Sequence, residues 1–268
     1  PEAPQSADLV VMESTYGDRL HEPRDQRVRQ LGDILTRVLA DGGKVFIPAF
    51  SLGRTQELIY EIDRIFSDPG YQEMFPDLQG KQRPPVFVDS PLGLKITKIY
   101  SDLSGYWDHE ARDLNERGDH PIDFKGLIAV KNHRDHLKLC DMDGPAIILA
   151  GSGMCTGGRI INHLKKGIDD PENDILFVGY QAAGTPGRAI QKYSRRPGGY
   201  VELDGERKTI KAKVHTLSGY SAHADQKGLV DWIERMPKKP GAVKLVHGET
   251  AARTALADLL RKRNFRVK

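Results

Sequence analysis

Lys44-Val45-Phe46-Ile47-Pro48-Ala49-Phe50-Ser51-Leu52-Gly53-Arg54 decides the fold. Lys44 to Pro48 reads as a buried strand, Ser51-Leu52-Gly53 as a loop, and the residues from Arg54 to about Phe66 as a helix. The same plan recurs on both sides of it. Val86-Phe87-Val88 is a strand that breaks at Asp89-Ser90-Pro91 into a helix. Ala146 to Ala150 runs into Gly151-Ser152-Gly153 and a helix from about Gly158, and Asp174 to Val178 ends in the loop Gln181 to Gly187. Leu127 to Val130 is a further strand, and Asp8 to Met12 a short one near the start. Pro23 to Ala40 reads as a helix with Val28, Leu31, Leu35, Val38 and Leu39 on one face, ended by Gly42-Gly43. Strands alternating with helices through short loops imply an α/β fold, with a mostly parallel sheet covered on both faces.

The loops after the strands carry the functional signal. Four are rich in Gly and Ser and lead into helix N-termini, where free N–H groups and the positive end of the helix dipole favour anions. Arg54 and Arg159 stand in the first turns of two such helices. Any one loop is explained by helix capping and turn closure. Four on one sheet edge point to phosphate, and Ser51, Arg54, Ser152, Gly153 and Arg159 are expected along one rim, facing His223.

From about Tyr200 the texture changes. Val201-Glu202-Leu203, a turn at Asp204-Gly205 and an alternating stretch from Thr209 to Val214 read as a hairpin running into a longer antiparallel segment. Ser218 to Asp225 leads into a helix carrying Leu229, Trp232 and Ile233. Val243 to Val246 is a strand ending at His247-Gly248-Glu249, followed by a helix, and Phe265-Arg266-Val267 resembles a short last strand.

Composition narrows the classes. With 268 residues and 38% apolar content the chain can bury a large core, and its apolar runs fall short of a bilayer span, so no membrane partner is expected. Two cysteines, Cys140 and Cys155, are too few for a disulfide framework, which makes a reducing cytoplasm the expected setting. A net charge of +3 gives no overall basic field, and the basic runs around Lys208, Lys238 and Arg261 read as solvated faces. The opening Pro1-Glu2-Ala3-Pro4 has neither a basic nor an apolar leader, and it lacks an initiator Met, so the chain is expected to belong to a longer one. The sequence does not fix the oligomeric state; a homodimer is compatible with it. No Gly-x-Gly-x-x-Gly follows a strand and there is no Walker lysine, which places a nucleotide-binding reading last.

His223 and His247 share one local setting, each after a strand-like stretch and before a helix. Imidazole in such a loop can ligate zinc or donate a proton to a leaving oxygen. Their separation of 24 residues matches no local zinc pattern. Six stretches taken together are more specific. Glu13-Ser14-Thr15-Tyr16-Gly17, Ser221-Ala222-His223-Ala224-Asp225 and Val246-His247-Gly248-Glu249 resemble motifs A, B and C of the β-CASP nucleases. Ile47 to Glu57, Val88 to Leu92 and Ser152 to Arg159 are similar to further stretches of that family, in the same order along the chain.

The nearest branch resembles the bacterial and archaeal relatives of the nuclease that cleaves pre-mRNA at its 3′ end. This resemblance implies a Rossmann-like β-CASP domain at 18–211 and, at 1–17 and 212–268, the C-terminal portion of an αββα metallo-β-lactamase domain. It implies RNA as partner, held between the two domains. It also implies Glu13 behind His223, His223 as general acid, and His247 as ligand to one of two zinc ions. A carboxylate behind an imidazole fixes its tautomer and its aim. The family's other zinc ligands precede motif A, and only twelve residues precede Glu13 here. The chain alone is therefore expected to bind zinc weakly or not at all and to cleave RNA poorly. Lys131-Asn132-His133-Arg134-Asp135-His136 imitates part of the missing ligand run but reads as a solvated helix start. The alternative class is a non-catalytic RNA-binding or scaffold paralogue, against which Glu13, His223 and His247 speak. Endonucleolytic and 5′-exonucleolytic cleavage are both left open.

Overall fold

A computed structural model describes residues 1–80 and 83–268 and leaves out the side chains of residues 24, 25, 39 and 41, so the expected inward position of Leu39 lies outside the described residues. The chain divides into two compact units, residues 1–22 with 221–268 and residues 23–220. Strand β1 (Leu9–Glu13) belongs to the first unit.

The second unit holds α1 (Arg24–Asp41), β2 (Lys44–Pro48), α2 (Arg54–Ser67), α3 (Pro69–Met74), β3 (Val86–Asp89) and α4 (Pro91–Asp102). It continues with α5 (His109–Glu116), β4 (Leu127–Ala129), α6 (His133–Cys140), β5 (Ala146–Ala150) and α7 (Arg159–Gly167). Its last elements are β6 (Asp174–Phe177), α8 (Pro186–Tyr193), β7 (Tyr200–Leu203), β8 (Glu206–Thr209) and β9 (Lys213–Thr216). The first unit then resumes with α9 (Gln226–Glu234), β10 (Ala242–Val246) and α10 (Thr250–Lys262).

In the second unit six strands form one sheet in the order β4-β3-β5-β2-β6-β9, every pair parallel. Alternate residues of the buried strands feed two separate cores. Val45, Ile47, Val86, Val88, Ile147 and Leu149 meet α1 and α2 through Leu31, Leu35, Leu58 and Ile62. Phe46, Ile148, Ile175 and Phe177 meet α7, α8 and the hairpin through Ile160, Leu164, Ile190 and Leu203. Burial on both faces explains why these strands read as continuous apolar runs. Strand order reverses around β2: the chain reaches β3 and β4 on one side of it and β6 and β9 on the other. Loops leaving the strand ends at such a reversal open a crevice for ligands.

The hairpin β7–β8 is antiparallel and turns through Asp204 (φ 49°) and Gly205 (φ 77°), both left-handed as a two-residue loop requires. The alternating stretch after it does not continue that antiparallel pairing. β9 pairs in parallel with β6, Asp174 opposite Lys213, and closes one edge of the main sheet.

In the first unit β1 and β10 form a parallel pair, with Val10, Met12, Val243 and Leu245 packed on Leu229, Ile233, Leu256 and Leu260 of α9 and α10. The expected last strand is a single bridge, Val243 to Val267. Among the described residues no helix is long and apolar enough to cross a membrane.

Candidate functional site

Glu13 ends β1 directly opposite Val246, which ends β10. The turns that follow the two strands therefore leave the same edge. Ser14 ties them: its Oγ lies 2.5 Å from the carbonyl oxygen of His247 and 3.1 Å from that of Val246. His247 takes a left-handed backbone (φ 55°), uncommon for any residue but glycine. Gly248 after it (φ 79°) lies so close to Ser14 that a Cβ would stand 2.4 Å from the Ser14 carbonyl oxygen. The turn thus holds an exposed imidazole on a fixed backbone.

His223 lies just before α9, and both sides of its loop are fastened to the segment after β1. Asp225 caps α9 by accepting from Gly228 N at 2.7 Å, and its other oxygen accepts from His21 N at 3.1 Å. Gln226 Nε2 donates to the Gly17 carbonyl at 2.7 Å. Against this frame His223 Nδ1 stands 2.6 Å from Glu13 Oε2 and 3.5 Å from Thr15 Oγ1. With Nδ1–H donated to the carboxylate, Nε2 is the nitrogen left for proton transfer. The pair is open to solvent, the His223 side chain 44% and that of Glu13 28% exposed.

In the second unit, β2 and β5 are register neighbours with Pro48 opposite Ala150. The loop of Ser51 and Arg54 and the loop of Ser152, Gly153 and Arg159 accordingly leave one edge of the sheet. Their hydroxyls also serve local turns. Ser51 Oγ is 3.2 Å from Ser90 Oγ, and Ser152 Oγ accepts from Thr156 N at 2.9 Å. Gly153 packs so closely on Phe50 that a Cβ would meet the ring at 2.8 Å, and its carbonyl accepts from Gln181 Nε2 at 2.8 Å. Arg54 pairs with Glu57, which lies 3.2 Å from Arg27; Arg27 in turn meets the buried Glu61 at 2.5 Å. Burial pushes the Glu61 carboxyl up, although Arg27 pulls the other way. Arg159 is turned inward: Nη1 donates to Asp89 Oδ1 at 2.7 Å and to the Val130 carbonyl at 2.9 Å.

Asp89 is the residue that the reading of the sequence missed. It ends β3, is fully buried, and its Oδ2 accepts from His136 Nδ1 and from His163 Nε2, both at 2.6 Å. Burial would raise its carboxyl, but the bonds from His163, His136 and Arg159 outweigh it and hold the group below its usual range. Burial lowers His163 despite the bond to Asp89. His136 corrects the expectation of a solvated helix start: His133 and Arg134 are exposed, whereas His136 is wholly buried.

His136, Cys140 and His163 place their donor atoms within 4.8 Å of one another, the one group of three so arranged among the described residues. Their hydrogen bonds fit a closed network better than a metal. Asn162 Nδ2 lies 2.8 Å from His136 Nε2, and Cys140 Sγ lies 3.6 Å from His163 Nδ1. The sulfur is nearly equidistant from both nitrogens of His136, at 3.9 and 3.7 Å, and so lies along neither lone pair. Burial pushes the Cys140 thiol up to about 11, keeping it an S–H donor. Each ring then places one nitrogen on Asp89 and the other on Asn162 or Cys140, while Arg159 meets the carboxylate charge.

The second unit is thus a parallel α/β sheet with its loops at one edge, and the first carries a carboxylate-backed histidine and a second exposed histidine. The comparisons make this specific. Residues 55–190 match the model of the Beta-Casp domain, and residues 207–268 match the Zn-dependent metallo-hydrolase RNA specificity domain. The chain is 39% identical over 267 residues to ribonuclease TTHA0252 of Thermus thermophilus, across 100% of its own length and 57% of that protein's. It is 34% identical over 261 residues to transcription termination factor FttA of Methanocaldococcus jannaschii, covering 95% of this chain and 39% of the relative. The FttA of Thermococcus kodakarensis is 31% identical over 261 residues, covering 96% and 38%. The chain belongs to the β-CASP family of metallo-β-lactamase-fold ribonucleases. It spans a little over half the length of the Thermus relative and about two fifths of the archaeal ones.

The second domain description carries zinc with it. Among the described residues, neither His223 nor His247 belongs to a group of three donors. A catalytic zinc takes about three protein ligands and a water, so among the described residues the donors around His223 and His247 do not make up a zinc site by themselves.

Proposed function

We propose that this chain is the RNA-gripping and proton-donating part of a cytoplasmic RNA-processing nuclease that hydrolyses phosphodiester bonds. The observation that carries the proposal is the 2.6 Å contact between Glu13 Oε2 and His223 Nδ1 on an exposed shelf. Glu13 holds the ring in one tautomer, and Nε2–H of the imidazolium protonates the departing 3′ oxygen. His247, on its left-handed turn, is the group we assign to the metal. Two zinc ions in the whole protein would supply an activated hydroxide. Since the described residues hold no complete donor set for them around His223 and His247, the chain's own part is aiming, proton donation and binding.

The rim of Ser51, Arg54, Ser152, Gly153 and Arg159 is assigned to RNA phosphates, chiefly through backbone N–H groups at helix starts and the Arg54 guanidinium. Arg159 serves the rim by fixing Asp89 beneath it.

The test compares the whole protein with the 268-residue chain on end-labelled RNA. The whole protein should cleave to 3′-hydroxyl and 5′-phosphate ends, lose activity on chelation and regain it with zinc, while the 268-residue chain stays inactive. RNA binding without cleavage by the zinc-loaded whole protein would replace this reading with that of a scaffold paralogue.

A further inference from the structure

The last turn of α8 and the first residue of β7 put two tyrosine rings face to face. Tyr193 and Tyr200 have ring centroids 6.4 Å apart and planes only 8° from parallel. Between these residues the chain makes a tight turn at Pro197-Gly198-Gly199. Gly198 is left-handed (φ 66°), and a Cβ on Gly199 would stand 1.9 Å from the Tyr193 carbonyl oxygen. The Gly199 carbonyl also accepts from Ile210 N at 2.9 Å, which locks the turn to the hairpin. The backbone therefore brings the two residues together.

A cleft of about 450 Å³ opens here, lined by Tyr193, Arg196, Gly198, Gly199 and Tyr200. Cations surround it. The Arg207 guanidinium stands 3.6 Å from the centre of the Tyr200 ring, and Arg196 and Lys192 stand 5.2 and 5.4 Å from that of Tyr193. The acidic group at its edge is Glu202, paired across the hairpin with Arg207.

We propose that Tyr193 and Tyr200 form a slot for one unpaired nucleobase, with Arg196, Arg207 and Lys192 meeting the flanking phosphates. Stacked carbon atoms are best placed about 3.5 to 4.0 Å apart, so a base between two rings needs roughly 7 Å. With ring centres 6.4 Å apart, the rings must separate by at least a few tenths of an ångström to admit it. Tyr200 is 45% exposed and can yield that distance. Stacking on tyrosine is indifferent to base identity, whereas a duplex offers no free base face to the slot. The proposal rests on RNA being the partner but not on any catalytic residue.

The test measures binding of a short fluorescent oligoadenylate, and of the same strand in a duplex, to the purified protein with metal chelated. Tyr200→Ala should weaken single-strand binding by roughly 5- to 100-fold, the range of one base stacked on an aromatic ring. Tyr200→Phe should bind as the unaltered protein does, and duplex binding should not change with either variant. A 2-aminopurine in the strand should lose fluorescence on binding, and should keep it in Tyr200→Ala. Equal single-strand affinity in Tyr200→Ala, an equal loss in Tyr200→Phe, or no single-strand binding by the unaltered protein would each overturn the slot. Cleavage is not read in this assay, so its failure leaves the nuclease assignment to the separate test on labelled RNA.

Discussion

Two of the histidine–carboxylate clusters in this protein have opposite fates. His136 and His163 share Asp89, and all three are 0 to 1% exposed. His223 has Glu13 to itself on an open shelf. At Asp89 both nitrogens of each ring are engaged and Arg159 supplies the balancing charge. At Glu13 one ring nitrogen of an exposed histidine is fixed and, among the described residues, no partner holds the other. A buried network in low dielectric must be closed to be tolerated, and closing it removes the groups from chemistry. Proximity of histidine and carboxylate therefore marks a reactive site only when one nitrogen stays in reach of solvent.

The largest expected effect lies on the open side. His223→Ala in the whole, zinc-loaded protein should lower single-turnover cleavage by roughly 10²–10⁴-fold, the worth of a positioned proton donor, with metal content unchanged. His247→Ala should lose metal first and activity as a consequence. A loss of zinc from His223→Ala with none from His247→Ala would show the two roles reversed.

The closed side should respond in stability. Arg159→Met leaves the buried Asp89 carboxylate without its guanidinium partner and should cost about 3–5 kcal/mol in urea unfolding. Glu13→Gln, at an exposed pair, should cost less than about 1 kcal/mol. Equal costs would erase the contrast.

Arg54→Ala separates RNA grip from structure. It should weaken RNA binding and reduce the slope of log affinity against log salt by roughly 0.7, the share of one phosphate contact on a single strand. An unchanged slope would confine Arg54 to its pairing with Glu57.

The smallest effect concerns Asp63, which burial, reinforced by Asp119, pushes up to about 6 from 3.8. An acid whose folded value is raised contributes stability at low pH that is lost as pH rises from about 4 to about 6. Asp63→Asn should therefore be the more stable protein at pH 7, by about 1 kcal/mol once screening by Arg83 and water is allowed for. Its advantage should disappear near pH 4. A variant less stable at pH 7 would contradict the sign.

Much of this was legible in the sequence because it is local. The apolar runs at Val45, Val86 and Ala146 announce strands buried on both faces, and the Gly- and Ser-rich loops after them announce the sheet edge. The family motifs pointed to Glu13, His223 and His247. What was not legible is pairing at a distance. Asp89 meets His136 and His163 across 47 and 74 residues. The spacing of His136 and Cys140, one helical turn apart on α6, was the available signal for an inward face. The misread of β9 has a related cause: alternation shows a half-covered strand but not whether its neighbour is the preceding hairpin or β6.

The central claim is that His223 donates a proton to the departing 3′ oxygen. It is tested most directly by comparing natural RNA with RNA carrying a 3′-bridging sulfur at the scissile bond, since a thiolate leaves without protonation. The whole protein and its His223→Ala variant, equally loaded with zinc, would be followed in single turnover on both substrates. The account predicts a defect of roughly 10²–10⁴-fold on the oxygen substrate that nearly vanishes on the sulfur one. The same defect on both substrates would contradict it.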